Sequence, residues 1–168
     1  MMEEIRIRPA REEDCPRILE LIRELAVYEK MEEQVTADSE TLRASVFDRK
    51  MAGIFVAQAG ENVVGYALYC HNFSTFLGRE NLYLEDLYVT PAWRGRGIGL
   101  RLIRRVAGQA VQEGCRRLDW VCLDWNRPSR EFYEKLGAHA MPWWVGYRAE
   151  NEALIQLAGD KGEKNNGN

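Results

Sequence analysis

The chain has little of the chemistry that builds metal centres, disulfide frameworks or membrane spans. Its 168 residues include two histidines and four cysteines, and no pair of cysteines has the C-x-x-C spacing. The sequence therefore predicts no metal site, and the cysteines are expected to be reduced thiols of a cytoplasmic protein. No apolar run approaches about 18 residues, and the N-terminus does not resemble a signal peptide, so we expect no membrane partner.

An excess of positive charge and the two commonest nucleotide-binding motifs are missing as well. The net charge is −3, which provides no overall field for nucleic acid. Neither G-x-x-x-x-G-K-[ST] nor G-x-G-x-x-G occurs, so a nucleoside triphosphate and a nicotinamide cofactor are not expected. The composition predicts a single domain over residues 1–158. Residues 160–168 have almost no apolar side chains, and the tail from 159 onward is predicted to be disordered.

Three alternating glycines are the most informative feature that is present. Gly95, Gly97 and Gly99 lie between an apolar run and the start of a helical pattern. Without Cβ atoms, backbone N–H groups can converge there, and a helix N-terminus adds unpaired N–H groups and partial positive charge. The pattern predicts a binding site for a diphosphate. The alternative is an ordinary flexible turn that carries the surface arginines Arg94 and Arg96.

Hydrophobic periodicity predicts the order of the elements and, from it, the class of fold. Predicted strands cover residues 4–9, 54–59, 63–70, 82–89, 118–123 and 143–148; predicted helices cover residues 12–28, 38–47, 98–112, 126–136 and 150–158. Asp14 and Asn126 are expected to cap helices, and residues 72–81 to form a loop. This order indicates an α/β or α+β fold with a mixed central sheet.

Several segments carry a family resemblance. They are YLEDLYV at 83–89, RGRGIG at 94–99, DWN at 124–126 and FYEKLG at 132–137, with IRPA at 7–10 and YEKMEEQ at 28–34. Together they resemble the GNAT acetyltransferase superfamily, and within it the diamine (spermidine/spermine-type) and thialysine N-acetyltransferases. The resemblance extends over about residues 5–158. It implies a central mixed sheet that splays open, and commonly a homodimer, in which Trp143 and Trp144 would line the interface or pack in the core.

The resemblance also implies acetyl-CoA as co-substrate and assigns residues to it. The backbone of Leu87 and Val89 would pair with the pantetheine arm, and Asn126 and Lys135 would make further contacts. The diphosphate would lie on the main-chain amides of Arg94, Gly95, Arg96, Gly97, Ile98 and Gly99.

Acetyl transfer to an amine requires a base, because a free ammonium has a pKa near 10.4. Glu85 is the candidate base, although it could simply face solvent. On a regular strand Glu85 and Asp86 point to opposite faces, and only a β-bulge would relax that limit. Asp86 would bind a cationic substrate or accept backbone hydrogen bonds. By resemblance, Tyr133 protonates the leaving thiolate; the alternative is a core aromatic residue.

Acidic residues also follow the first predicted helix. The resemblance implies that Glu29, Glu32 and Glu33 line the site of a cationic amine, whereas the alternative is a solvated loop. Thr75 and Leu77 stand where the spermidine/spermine subgroup has an acid and a tryptophan, so this segment is more similar to the thialysine branch.

The leading hypothesis is direct acetyl transfer from acetyl-CoA to a primary amine of a small molecule, since no Ser/His/Asp or Cys/His arrangement indicates a covalent intermediate. Two other hypotheses remain: a non-catalytic acyl-CoA sensor and a peptide or protein N-acetyltransferase.

Overall fold

The computed structural model describes residues 3–159 and divides the chain into two compact units. One unit ends at Leu123 and the other begins at Asp124. Apart from residue 159, the predicted disordered tail lies outside the described residues, and the single-domain interpretation stays a prediction. None of the helices in this part of the chain has the length and apolar character needed to cross a bilayer.

The first unit contains all five strands of the described chain. They are β1 (Ile5–Pro9), β2 (Gly53–Ala59), β3 (Asn62–Ser74), β4 (Arg79–Val89) and β5 (Leu118–Asp119). Its helices are α1 (Cys15–Tyr28), α2 (Ser39–Arg43), which continues as a π-helical turn over Ala44–Asp48, and α3 (Ile98–Gln112). The second unit contains α4 (Arg127–Lys135) and α5 (Asn151–Leu157). All the predicted helices are therefore confirmed, with α1 preceded by a 3₁₀ turn at Glu12–Asp14.

The sheet is mixed, as predicted. Its strand order is β1-β2-β3-β4-β5; the first four strands are antiparallel neighbours and β5 runs parallel to β4. Pairing between β4 and β5 covers only Leu82↔Leu118 and Tyr83↔Asp119. Within residues 3–123, the edge of β4 beyond Tyr83 has no strand beside it, which is the expected splay.

Both faces of the sheet are covered by helices. On one face, α1 contributes Ile18 and Leu21 to a buried cluster with side chains of β2, β3 and β4. The apolar stripe of α3 is buried, and α3 packs against β2, β3 and β4, where Arg105 lies over the Phe55 ring. The helical spacing of apolar residues in α1 and α3 therefore reflects two separate cores on one sheet.

The β3–β4 hairpin is longer than predicted. Residues 72–81 were expected to form a loop, but β3 continues to Ser74 and β4 begins at Arg79, so only residues 75–78 connect them. Cross-strand partners such as Asn72↔Asn81 supply the ladder that these weak strand formers lack on their own. The prediction was wrong because strand pairing over the hairpin overrides local propensity.

Two other strand predictions were wrong in the opposite direction. β5 covers Leu118–Asp119 rather than residues 118–123, and residues 143–148 form no strand. A strand needs a ladder partner, and the described part of the second unit contains no other strand. The consecutive large apolar residues Trp143, Trp144 and Val145 therefore did not suffice there.

The predicted caps differ in outcome. Asn126 precedes α4 and accepts a hydrogen bond from the Ser129 N–H, as expected. Asp14 precedes α1 but makes no cap bond there; its carboxylate instead accepts two hydrogen bonds from Arg8, at 2.7 and 2.9 Å. The two-pronged Arg8 pair and the Arg11 N–H, which donates to the same carboxylate at 2.7 Å, direct it away from the N–H groups of α1.

Gly65 permits the close approach of β3 to the end of β4. A Cβ at this buried position would lie 2.7 Å from the Tyr88 carbonyl oxygen, whereas one at Gly108, exposed on α3, would meet nothing within 4 Å. We expect Gly65→Ala to lower the free energy of unfolding by about 1–3 kcal/mol. Gly108→Ala is the matched control and should raise it by about 0.5–1 kcal/mol, since glycine weakens a helix interior. Urea unfolding measures both; equal effects of the two substitutions would contradict the steric explanation.

Candidate active site

A β-bulge at Glu85 organises the site. Asp86 pairs with Leu68 and the next ladder pair is Leu84 with Tyr69, so Glu85 is an extra residue without a partner on β3. Residues directly opposite on paired strands share a face of the sheet. Asp86 therefore lies on the face of Leu68, which packs on the α1 core, and Leu84 lies on the other face with Tyr69. The sequence alone did not decide whether β4 contains such a bulge.

Three carboxyl groups lie near one another beside this bulge. Asp86 and Glu29, which follows α1, are half-buried, whereas Glu85 is exposed. Burial, together with the charges of Glu85 and Glu29, raises the pKa of Asp86 to about 6, and burial also raises the pKa of Glu29. No ion pair within residues 3–123 involves any of the three. The cluster is therefore an uncompensated negative site, suited to a cation.

Asp86 has one strong hydrogen-bond donor. The Tyr66 hydroxyl, at the centre of the core, donates to its Oδ2 at 2.8 Å. This bond lowers the pKa of Asp86 and so opposes part of the effect of burial. Sequence reasoning missed Tyr66, because a tyrosine inside an apolar strand pattern gives no sign that its hydroxyl meets an acid on the next strand.

The structure does not bring the whole acidic segment together. Glu32 and Glu33 are exposed on the 3₁₀ turn Glu32–Gln34, and neither is among the charges that act on Asp86. Of the three glutamates predicted in this segment, only Glu29 contributes to the carboxyl cluster.

The free edge of β4 offers backbone groups near this cluster. The Thr90 N–H donates to the Val64 carbonyl at 2.9 Å. Because antiparallel bonding alternates along a strand, Tyr88 also faces β3, and the N–H and C=O groups of Leu87 and Val89 face away from it. The side chain of Arg94 is hydrogen-bonded to one of these groups, since its Nε donates to the Val89 carbonyl at 2.8 Å.

The glycine turn has the backbone geometry of an anion site. Gly95 and Gly97 have φ angles of +75° and +73°, which side chains rarely adopt, and Gly97 immediately precedes α3. No side chain caps α3, so the N–H groups of its first turn have no side-chain acceptor. Arg94, Arg96, Gly99 and Ile98 complete the segment, with Ile98 buried as the anchor of the helix. Main-chain N–H groups arranged in this way bind phosphates.

Two arginines of the turn stack on aromatic rings. The Arg94 guanidinium lies 5.2 Å from the ring centre of Tyr28 and 5.4 Å from that of Tyr88. The Arg96 guanidinium lies 4.5 Å from the ring centre of Trp93. Cation–π contacts of this kind hold the planar groups at defined positions. Arg94 thus joins the turn, the end of α1 and the end of β4.

The remaining predicted residues belong to the second unit. Asn126 is the buried cap of α4, Tyr133 is half-buried on the same helix beside Phe132, and Lys135 is exposed at its last position. Among residues 3–159, no three His, Cys, Asp or Glu side chains are arranged to hold a metal ion.

Comparison with known proteins agrees with this architecture. Residues 10–138 match the model of the acetyltransferase (GNAT) family. A thialysine N-epsilon-acetyltransferase of Bos taurus is 44% identical over 92% of this chain and 98% of its own length. A spermidine/spermine N(1)-acetyltransferase-like protein of Homo sapiens is 32% identical over 94% of this chain and 24% of its own length.

Solved structures show the same fold. An integron cassette protein of V. cholerae has a TM-score of 0.77 and 27% identity, over 93% of this chain and 98% of its own. An aminoglycoside N-acetyltransferase in complex with CoA has a TM-score of 0.73 at 18% identity, over 88% of this chain and 96% of its own. The chain belongs to the GNAT acetyltransferase family. It is an N-acetyltransferase, and enzymes of this family use acetyl-CoA.

Asp86 should lower the stability of the protein at neutral pH. Its pKa in the folded state, about 6, exceeds the ordinary 3.8, so the folded protein holds the proton more tightly than the unfolded chain does. The stability that results is fully present below about pH 4 and is lost as pH rises through 6. We expect Asp86→Asn to raise the free energy of unfolding by about 1–3 kcal/mol at pH 8. The two proteins should have similar stability near pH 4, because Asp86 is then protonated.

Urea unfolding at the two pH values measures this effect. Glu33→Gln is the control, since Glu33 is exposed and does not act on Asp86, and its substitution should change stability by less than about 0.5 kcal/mol. A loss of stability in Asp86→Asn at pH 8 would show that the ionised carboxylate has a stabilising partner.

Proposed function

We propose that the chain transfers the acetyl group of acetyl-CoA directly to the primary amine of a small cationic molecule, with a thialysine or lysine-like amino acid as the preferred class and a diamine or polyamine as the other. The observation that carries the proposal is the uncompensated carboxyl cluster of Glu29, Glu85 and Asp86 beside the free edge of β4. An ammonium group would supply the missing positive charge. The relatives named for thialysine acetylation support the first class.

The backbone geometry supports a defined place for the coenzyme. In this proposal the pantetheine arm pairs with the outward groups of Leu87 and Val89, and the diphosphate binds the amides of residues 94–99. Arg94 donates to the Val89 carbonyl in the structure, and that oxygen can accept a second donor from the pantetheine arm. Asn126 and Lys135 stay candidates for further contacts from the second unit.

The reaction needs a base for the ammonium, a hydrogen-bond donor for the oxyanion and an acid for the leaving thiolate. Asp86, ionised above about pH 6, attracts the ammonium, and Glu85 takes its proton directly or through water. The neutral nitrogen attacks the thioester carbonyl, and the N–H of Leu87 stabilises the oxyanion. The C–S bond then breaks as the carbonyl re-forms, and Tyr133 donates a proton to the thiolate of CoA. The nitrogen gives up its second proton, which returns to the Tyr133 phenolate through water, and the amide is complete. Glu32 and Glu33, exposed on the adjacent turn, would attract polycations from solution.

The oligomeric state and the cellular location of the protein are part of the proposal. We propose a homodimer, because large apolar side chains are exposed in each unit: Phe73 and Phe76 in one, Trp143 and Trp144 in the other. A cytoplasmic location fits the four cysteines, which are all free in the structure.

An amine panel tests the function. Purified protein with acetyl-CoA and thialysine, lysine, ornithine, putrescine or spermidine should release CoA, fastest with a lysine-like amino acid. CoA release is followed with a thiol reagent, and the acetylated amine is identified by mass spectrometry. Tight acetyl-CoA binding without turnover on any amine would favour the sensor hypothesis, and turnover only on peptides would favour the peptide acetyltransferase.

The acid role of Tyr133 gives a second test. Tyr133→Phe keeps the ring beside Phe132 but removes the hydroxyl, so kcat should fall by about 100-fold while acetyl-CoA affinity stays nearly unchanged. The control is Tyr147→Phe, at a position that is 95% exposed, which should keep wild-type turnover. Unchanged kcat in Tyr133→Phe would remove this residue from the mechanism.

A further inference from the structure

We propose that Tyr66 is a positioning residue for acetyl transfer, whose phenol orients the Asp86 carboxylate toward the substrate ammonium. The proposal rests on the proposed function, in which Asp86 binds that ammonium. Tyr66 itself touches neither the amine nor the coenzyme; it would act only through Asp86.

The position of Tyr66 is costly for a hydroxyl. The side chain is fully buried on β3, in a cluster with Ile18, Leu21 and Val56, where a phenylalanine would fill the same space. A buried hydroxyl without a partner would be unfavourable, and Asp86 Oδ2, at 2.8 Å, is the acceptor that satisfies it. This hydrogen bond links the core to the carboxylate beside the bulge.

The direction of the bond determines its effect. The phenol donates to Oδ2, which restricts rotation of the carboxylate and leaves Oδ1 for a second donor. A donor to a carboxylate favours the ionised form. The other groups that act on Asp86 are Glu85, from its own strand, and Glu29, from the segment after α1, and both oppose ionisation. Among the groups that act on Asp86, the Tyr66 phenol is the one that lowers its pKa and so opposes the effect of burial.

The test is the pH dependence of kcat/KM for the amine in Tyr66→Phe. We expect its acidic limb to move to higher pH by about one unit, because Asp86 holds its proton more tightly. Near pH 6 this corresponds to a loss of about fivefold in kcat/KM, approaching tenfold below about pH 5, with almost no loss near pH 9 and an unchanged KM for acetyl-CoA. A purely structural role would lower activity equally at all pH values.

Tyr88→Phe is the matched control. Tyr88 lies directly opposite Tyr66 on β4, and its hydroxyl donates to Glu24 at 3.2 Å rather than to Asp86. Its loss should leave the acidic limb in place. In an Asp86→Asn background, Tyr66→Phe should produce no further shift. An unmoved limb in Tyr66→Phe, or an equal shift in Tyr88→Phe, would overturn the proposal.

A second measurement is independent of activity. In the wild type, titration of Asp86 lowers the free energy of unfolding as pH rises toward the pKa of this group in the folded state. Tyr66→Phe raises that pKa, so the decrease should continue to higher pH. Urea unfolding across pH reports this without any substrate. If no amine is acetylated, the proposed function fails, yet the unfolding data still show whether Tyr66 controls Asp86. An identical pH dependence in wild type and variant would overturn the link itself.

Discussion

The single extra residue at Glu85 is the constraint on which the rest of the site depends. Before the bulge, β4 directs Leu84 to the face shared with Tyr69; after it, Asp86 lies on the α1 face. A regular strand would place Leu84 and Asp86 on the same face and would separate the two acids at 85 and 86. The bulge lets one strand serve two cores and also gather carboxyl groups where its outer edge becomes free.

Gathering these groups has a cost that folding alone does not recover. Asp86 ionises only above about pH 6, against burial and two neighbouring negative charges, and no ion pair within residues 3–123 compensates it. The Tyr66 hydroxyl recovers part of the cost, but only by binding one oxygen. An arrangement that is unfavourable when empty and favourable with a bound cation is typical of a binding site, where stability is exchanged for function.

Much of this could be predicted from the sequence where the signal is local. Periodicity located α1 and α3, and the glycines located the turn, because both depend on short-range geometry. The failures involve partners distant along the chain: Asp14 pairs with Arg8 instead of capping α1, the hairpin ends depend on β3–β4 pairing, and residues 143–148 lack a neighbouring strand. Tyr66 was missed for the same reason, since the acid that accepts its hydrogen bond is 20 positions away on another strand.

Arg94 connects the two halves of the proposed site. Its guanidinium lies between Tyr28, which ends α1 just before Glu29, and Tyr88 on β4, while its Nε binds the Val89 carbonyl. On the proposed coenzyme placement, the pantetheine arm and Arg94 donate to the same carbonyl, which has room for both. Arg94 therefore borders the anion site, because it belongs to the glycine turn, and the cation site, because it stacks on Tyr28, the residue next to Glu29. One side chain thus contacts both parts of the proposed site.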